Sequence, residues 1–255
     1  VYGYENIPDD ATSGSLKMLP LPETHRPRFA VYNEMAVRGY REVVSYAFVD
    51  EAWETDFAAN DNPIRLQTPL AAQYAVMRST IIGGSVEILQ NNLNRKQNRV
   101  RVFEIARVFS KGSDGRFVQN ERIGGLWYGA VMPEQWGEKT RNADFYDIKA
   151  DVENLLKNKA VEFVKTEHPA LHPGRAANIV SDGQVIGFVG ELHPKWLQKY
   201  DLPQAPLVFE IDMAAVLERE KTRYQAVSKF QPVRRDLAFV MPETMTHDDL
   251  LAALN

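Results

Sequence analysis

Between residues 82 and 95 the apolar side chains Ile82, Val86, Leu89 and Leu93 recur at intervals of 4, 3 and 4, which places them on one face of a helix. Phe145, Ile148, Val152 and Leu155 mark a second helix behind Asp144, whose short carboxylate suits an N-cap. A third is expected over residues 27–39, opening on Pro27 and stopping at Gly39, with Tyr32, Met35 and Ala36 on its apolar side. Strand patterns lie between these helices. Residues 42–49 are β-branched and aromatic, residues 99–109 alternate around Val100, Val102 and Ile105, and residues 123–132 read as a buried strand. Residues 177–181 and 184–190 flank Asp182-Gly183, a strong two-residue hairpin signal. His193-Pro194 opens a short helix through Tyr200. Residues 207–211 form a strand, and Asp212 caps the helix after it. A last strand over residues 234–241 precedes a helix beginning at Thr246. Strands in hairpins and runs, without regular βαβ alternation, predict an α+β fold: an antiparallel sheet with flanking helices.

Polar stretches set the organisation. The first 28 residues, with Pro8, Pro20, Pro22 and Pro27 among Asp9, Asp10, Gly14 and Ser15, read as a linker. The start at Val1 without an initiator Met suggests a piece of a longer protein. Residues 50–62 carry five acidic and no basic residues, and are expected as a solvated loop or short helix. The 255 residues are enough for one large domain or two modest ones. The longest apolar run, residues 124–132, is far short of a bilayer span, so no membrane partner is expected. The absence of cysteine excludes thiol catalysis and disulfides, and suits a cytoplasmic protein. A net charge of −4 argues against a globally basic coat, so any RNA contact must be local.

Candidate chemistry is sparse. No phosphate-binding glycine loop and no nucleophile elbow occur, and no catalytic residue is assigned. Gly83-Gly84-Ser85 at a helix start suits either an anion or close packing against a strand. His168 and His172 have the i, i+4 spacing of a metal pair. Pro169 and Pro173 disfavour the helix that would align them, so hydrogen-bonded turn histidines are expected and no metal site is assigned. Asp144, Asp147 and Asp151 along one helix flank suit its dipole and a solvated surface. Two stretches are basic and free of acid: residues 94–101, with Arg95, Lys96, Arg99 and Arg101, and residues 221–235, with Tyr224 and Phe230 interleaved. Each suits either a solvated face or an RNA surface, where cations meet phosphates and rings stack on bases.

Eight segments fall in an order that resembles the β-subunit family of bacterial phenylalanyl-tRNA synthetases. They are Val1-Tyr-Gly-Tyr-Glu-Asn-Ile-Pro8, Arg38-Gly-Tyr-Arg-Glu-Val43, Met77-Arg-Ser-Thr80, Asn92-Leu-Asn-Arg95, Val102-Phe-Glu-Ile105, His168-Pro-Ala-Leu-His-Pro-Gly-Arg175, Gly187-Phe-Val-Gly-Glu-Leu-His-Pro194 and Lys229-Phe-Gln-Pro-Val-Arg-Arg-Asp-Leu237. The resemblance runs over essentially the whole chain. It implies the C-terminal part of that subunit: residues 1–14 as the tail of a B5 domain, residues 15–225 as a catalytic-like class II synthetase core, and residues 226–255 as the start of a ferredoxin-like anticodon-binding domain.

The same resemblance implies a role in charging tRNA(Phe) with phenylalanine, as the partner of a catalytic α subunit in an α2β2 assembly that uses ATP and Mg2+. Class II motif 1, the subunit interface, would fall on the third predicted helix and the strand after it, with Phe29, Tyr32, Met35, Arg38 and Tyr40 as contact candidates. The same surface would let the fragment pair with itself. Arg101-Val-Phe-Glu104 is similar to motif 2, whose arginine holds the α-phosphate. The glycines of residues 187–194 carry no motif 3 arginine, so a non-catalytic core without its own cofactor is expected, since charge developing at the phosphate would be uncompensated. Lys229, Arg234 and Arg235 are the RNA-contact candidates. The alternative is a free-standing class II-like enzyme that activates an amino acid with Arg101.

Overall fold

The computed structural model describes residues 3–8, 13–18, 22–112, 114–157, 159–219, 221, 223–224 and 226–254. Val1, Tyr2, Asp9, Asp10 and Pro20, on which parts of the linker and the resemblance rest, lie outside them. The chain divides into Val1–Lys221 and Thr222–Asn255.

The first unit is built on a seven-stranded sheet in the order β1-β4-β5-β9-β8-β7-β6. β1 (Arg41–Glu42) runs parallel to β4 (Val100–Lys111), and every other pairing is antiparallel. The centre is the long hairpin of β4 with β5 (Phe117–Tyr128), joined by β9 (Leu207–Asp212). β8 (Gln184–Leu192), β7 (Leu171–Ser181) and the short β6 (Glu162–Lys165) complete it. Asp182 and Gly183 both adopt positive φ (50° and 74°), as the two-residue turn between β7 and β8 requires.

Both faces of the sheet are covered, making three layers. On one side α1 (Arg28–Val37), α4 (Phe145–Leu155) and α6 (Met213–Leu217) bury Val31, Met35, Ile148 and Val152 against Phe103, Ile123 and Phe209. On the other, α2 (Glu51–Ala58), α3 (Ile82–Asn94) and α5 (Pro194–Lys199) bury Phe57, Val86 and Leu89 against Val100, Val102, Leu126 and Val208. Alternate residues of β4 and β5 feed the two cores, as the two-residue period of a strand dictates.

Several expectations change in the folded chain. Residues 42–49 are not one strand. Only Arg41–Glu42 joins the large sheet, while β2 (Phe48–Val49) pairs with β3 (Val76–Met77) in a separate two-stranded ribbon. Ser45 diverts the chain between them, donating from its amide and hydroxyl to the Glu104 carboxylate. The acidic stretch forms α2, and two of its acids are buried rather than solvated: Glu54 (1% exposed) accepts from Ser79 and Asn60, Asp56 (6%) from Lys199 and Tyr200. Ala36 is exposed, and Val31 replaces it on the buried side of α1. Asp212 flanks α6 without capping it, because its carboxylate accepts from Arg122 Nε. The last linker residues are tied down: Arg26 is 6% exposed, bonds the Leu155 carbonyl and pairs with Glu34.

In the second unit α7 (His247–Leu254) begins behind a reciprocal Thr246–Asp249 cap. Residues 234–241 are extended but form no strand, since no partner strand meets them among the described residues.

Candidate functional site

β4, β5 and β9 set Glu104, Gly124 and Glu210 side by side in one row across the middle of the sheet. All three point to the α3 side, and α3 begins directly over them. A Cβ at Gly124 would sit 3.2 Å from the Ile81 side chain, so the glycine admits the helix start. Glu210, 1% exposed, accepts from the Ile81 amide (2.8 Å), the Thr80 hydroxyl (2.7 Å) and Arg122 (2.6 Å). Glu104, 3% exposed, accepts from Ser45 and from Arg78 Nη2 (3.1 Å). Arg78 is itself buried and also donates to the Arg107 carbonyl. The space between α3 and Gly124, Gly125 and Phe209 holds no volume that a water molecule can occupy. Every carboxylate of the row is thus bonded and covered.

Arg101 and Glu104 do not share this site. Three residues apart on a strand, they face opposite sides of the sheet. The Arg101 guanidinium lies 3.4 Å over the Trp127 ring and donates to the carbonyls of Arg38 (2.8 Å) and Val131 (2.7 Å). Burial, then the nearby Arg99 charge, lowers its pKa from the ordinary arginine value. Gly187 and Gly190 lie within β8, the second strand of the hairpin expected around Asp182-Gly183. A Cβ at Gly187 would strike the Glu210 carbonyl, and one at Gly190 the Arg175 carbonyl. Gly83 and Gly84 act in packing: side chains there would run into Trp53 and Ser45.

The interface candidates divide. Met35 is fully buried. Tyr40, 3% exposed, donates to Asp151 Oδ2 (2.8 Å), and burial followed by Asp151 holds its pKa well above the ordinary tyrosine value. Arg38 pairs with the same carboxylate (2.5 Å), so Asp151 is a core acceptor rather than a solvated flank charge. Tyr32 packs edge-on against Phe103. Only Phe29, 73% exposed, presents an open apolar surface. Val37, 88% exposed and two turns on, joins it although the sequence did not single it out. An i, i+8 spacing puts both on the outer face of α1.

His168, His172 and His193 each accept a backbone amide through Nδ1, from Ala170, Gly174 and Lys195 respectively. Burial, then Arg122, pushes His168 down to about 4. Among the described residues no group of three or more side chains is arranged to hold a metal. Lys229, Arg234 and Arg235 are exposed in the extended stretch of the second unit, with Phe230 between them. No helix among the described residues is long and apolar enough to cross a membrane.

Residues 7–213 match the family model described as phenylalanyl tRNA synthetase beta chain CLM domain. The chain belongs to this family. Over all of its length it is 90% identical to a phenylalanine–tRNA ligase beta subunit of Neisseria meningitidis serogroup B, of which it covers 32%. Over 99% of its length it is 54% identical to the Chromobacterium violaceum beta subunit, again covering 32% of that protein. The Burkholderia lata beta subunit is 46% identical over 96% of the chain, which covers 31% of it. The chain thus spans about a third of the length of the curated relatives it matches.

Proposed function

We propose that the chain is part of the β subunit of a phenylalanine–tRNA ligase, and that it forms a non-catalytic core which assembles with the α subunit to charge tRNA(Phe). The observation that carries this reading, beyond family membership, is the closed row of Glu104, Gly124 and Glu210. A synthetase of class II binds its nucleotide on an antiparallel sheet, and here α3 stands on the middle of that sheet with both carboxylates bonded to buried partners. The Arg101 guanidinium is held by two backbone carbonyls on the other face. These residues do not fit ATP and Mg2+, which we assign to the α subunit. The class II architecture, the C-terminal place of this segment in the subunit, the α2β2 stoichiometry and a cytoplasmic location belong to the same proposal. The outer face of α1, with Phe29 and Val37, is the surface we assign to subunit contact, or to self-pairing when the chain is alone.

ATP–pyrophosphate exchange driven by phenylalanine tests the reading. The isolated chain is expected to give none, and the complex with the α subunit to give it fully. Exchange by the chain alone would make it an amino-acid-activating enzyme in its own right and overturn the proposal.

A further inference from the structure

The acid-free run at residues 94–101 plays no part in the site above, yet the fold gathers it into one place. Arg41 on β1, Arg95 at the end of α3, Arg99 just ahead of β4 and Arg101 on it line a concavity of about 380 Å3, together with Asn92 and Gln97. No carboxylate lines it, and none of the four arginines forms an ion pair among the described residues. Asp147 and Asp151 act on Arg101 from nearby, but their oxygens are engaged by Arg141 and by Arg38 and Tyr40. Arg99 and Arg101 are held in position: Arg99 donates to the Ala130 and Val131 carbonyls (3.0 Å each), Arg101 to those of Arg38 and Val131. Arg41 and Arg95 are exposed on the rim.

We propose that this concavity binds the phosphodiester backbone of RNA. Like charges brought together with no counter-charge are costly until an anion enters, and planar guanidinia match phosphate oxygens two at a time. Arg41, Arg95 and Arg99 together exceed what a single carboxylate can satisfy, whereas consecutive phosphates engage each in turn while Arg101 stays on its two carbonyls. The amides of Asn92 and Gln97 suit the ribose hydroxyls between them. The choice of RNA as the source of the phosphates rests on the ligase reading above. Contacts of this kind add affinity without reading bases, and they weaken as added salt reduces the gain from counterion release.

The test uses the full-length β subunit in complex with its α subunit and a tRNA(Phe) transcript, with Kd measured from about 50 to 200 mM salt. The double variant Arg41→Gln/Arg95→Gln removes only the rim arginines, whose one side-chain bond is the exposed one from Arg95 Nη1 to the Asn91 carbonyl of its own helix. It is expected to raise Kd about tenfold at low salt and to lower the slope of log K against log salt by about 2, one for each phosphate that is no longer neutralised. Arg116→Gln, at the far turn of the β4–β5 hairpin, is expected to change neither. An unchanged slope in the double variant overturns the inference while leaving the ligase reading intact. So does loss of the α subunit from the complex on sedimentation, since the concavity would then seat carboxylates of a protein partner. A parent complex that binds no tRNA overturns both readings.

Discussion

Arg78 and Glu104 are both more than nine-tenths buried, and neither charge is tolerable without the other. The pair connects three separate segments, because Ser45 bonds both members. Such residues look like surface charges in a sequence, since lysine, arginine and glutamate mostly are. Arg101 illustrates the reverse error. Its place before Val-Phe-Glu suggests a shared site with Glu104, but an odd spacing on a strand separates the two, a signal that was present in the sequence. His168 carries a testable consequence. It is largely buried against Phe188, and its folded pKa of about 4 lies below the unfolded value of about 6.5. The unfolded chain therefore takes up a proton that the folded chain refuses between those values. Stability is complete above about pH 6.5 and falls as pH drops towards 4, by up to ~1.4 kcal/mol per pH unit. Urea midpoints measured across this window are expected to follow that slope in the parent and to flatten in His168→Gln.

Among the elements, α4 and the β7–β8 turn were readable because their signals are local. A capping box from Asp144 to Asp147 and two positive-φ residues at Asp182-Gly183 act within four positions of each other. α1 was readable in extent, with Gly39 taking the positive φ (82°) that ends a helix, but its buried side was not. Its amphipathic pattern is weak because both faces carry apolar residues: Val31 and Met35 enter the core, and Phe29 and Val37 remain outside. A helix apolar on two sides is expected where a second surface is to be covered. Val37→Asp is accordingly expected to leave the stability of the isolated chain within about 0.5 kcal/mol of the parent, as exposed substitutions do. The same change is expected to weaken association with the α subunit at least about tenfold, read by analytical ultracentrifugation, if the outer face is buried there.

At the scale of the whole molecule, the sheet centre is the most protected part of the first unit. Amides in the middle of β5, β9 and β8 pair on both sides and lie between two cores. Hydrogen exchange is expected to be slowest there, whereas residues 226–245, exposed and outside any ladder, exchange near the rate of an open chain. An α+β fold with an antiparallel sheet was legible from hairpins and periodicity, as were most helix positions. The strand expected over residues 234–241 was not realised, because a strand exists only where another backbone completes its bonds. Periodicity, caps and turns are settled between residues a few positions apart, and those the amino-acid order determined unaided. Which face each strand residue takes, and which charges meet, depends on register between strands far apart in the chain. Thr80 finds Glu210 across 130 positions, and four arginines from β1, β4 and the turn between α3 and β4 line one hollow. Only the folded sheet could decide those pairings, because no local pattern encodes the distance between segments that meet solely by packing.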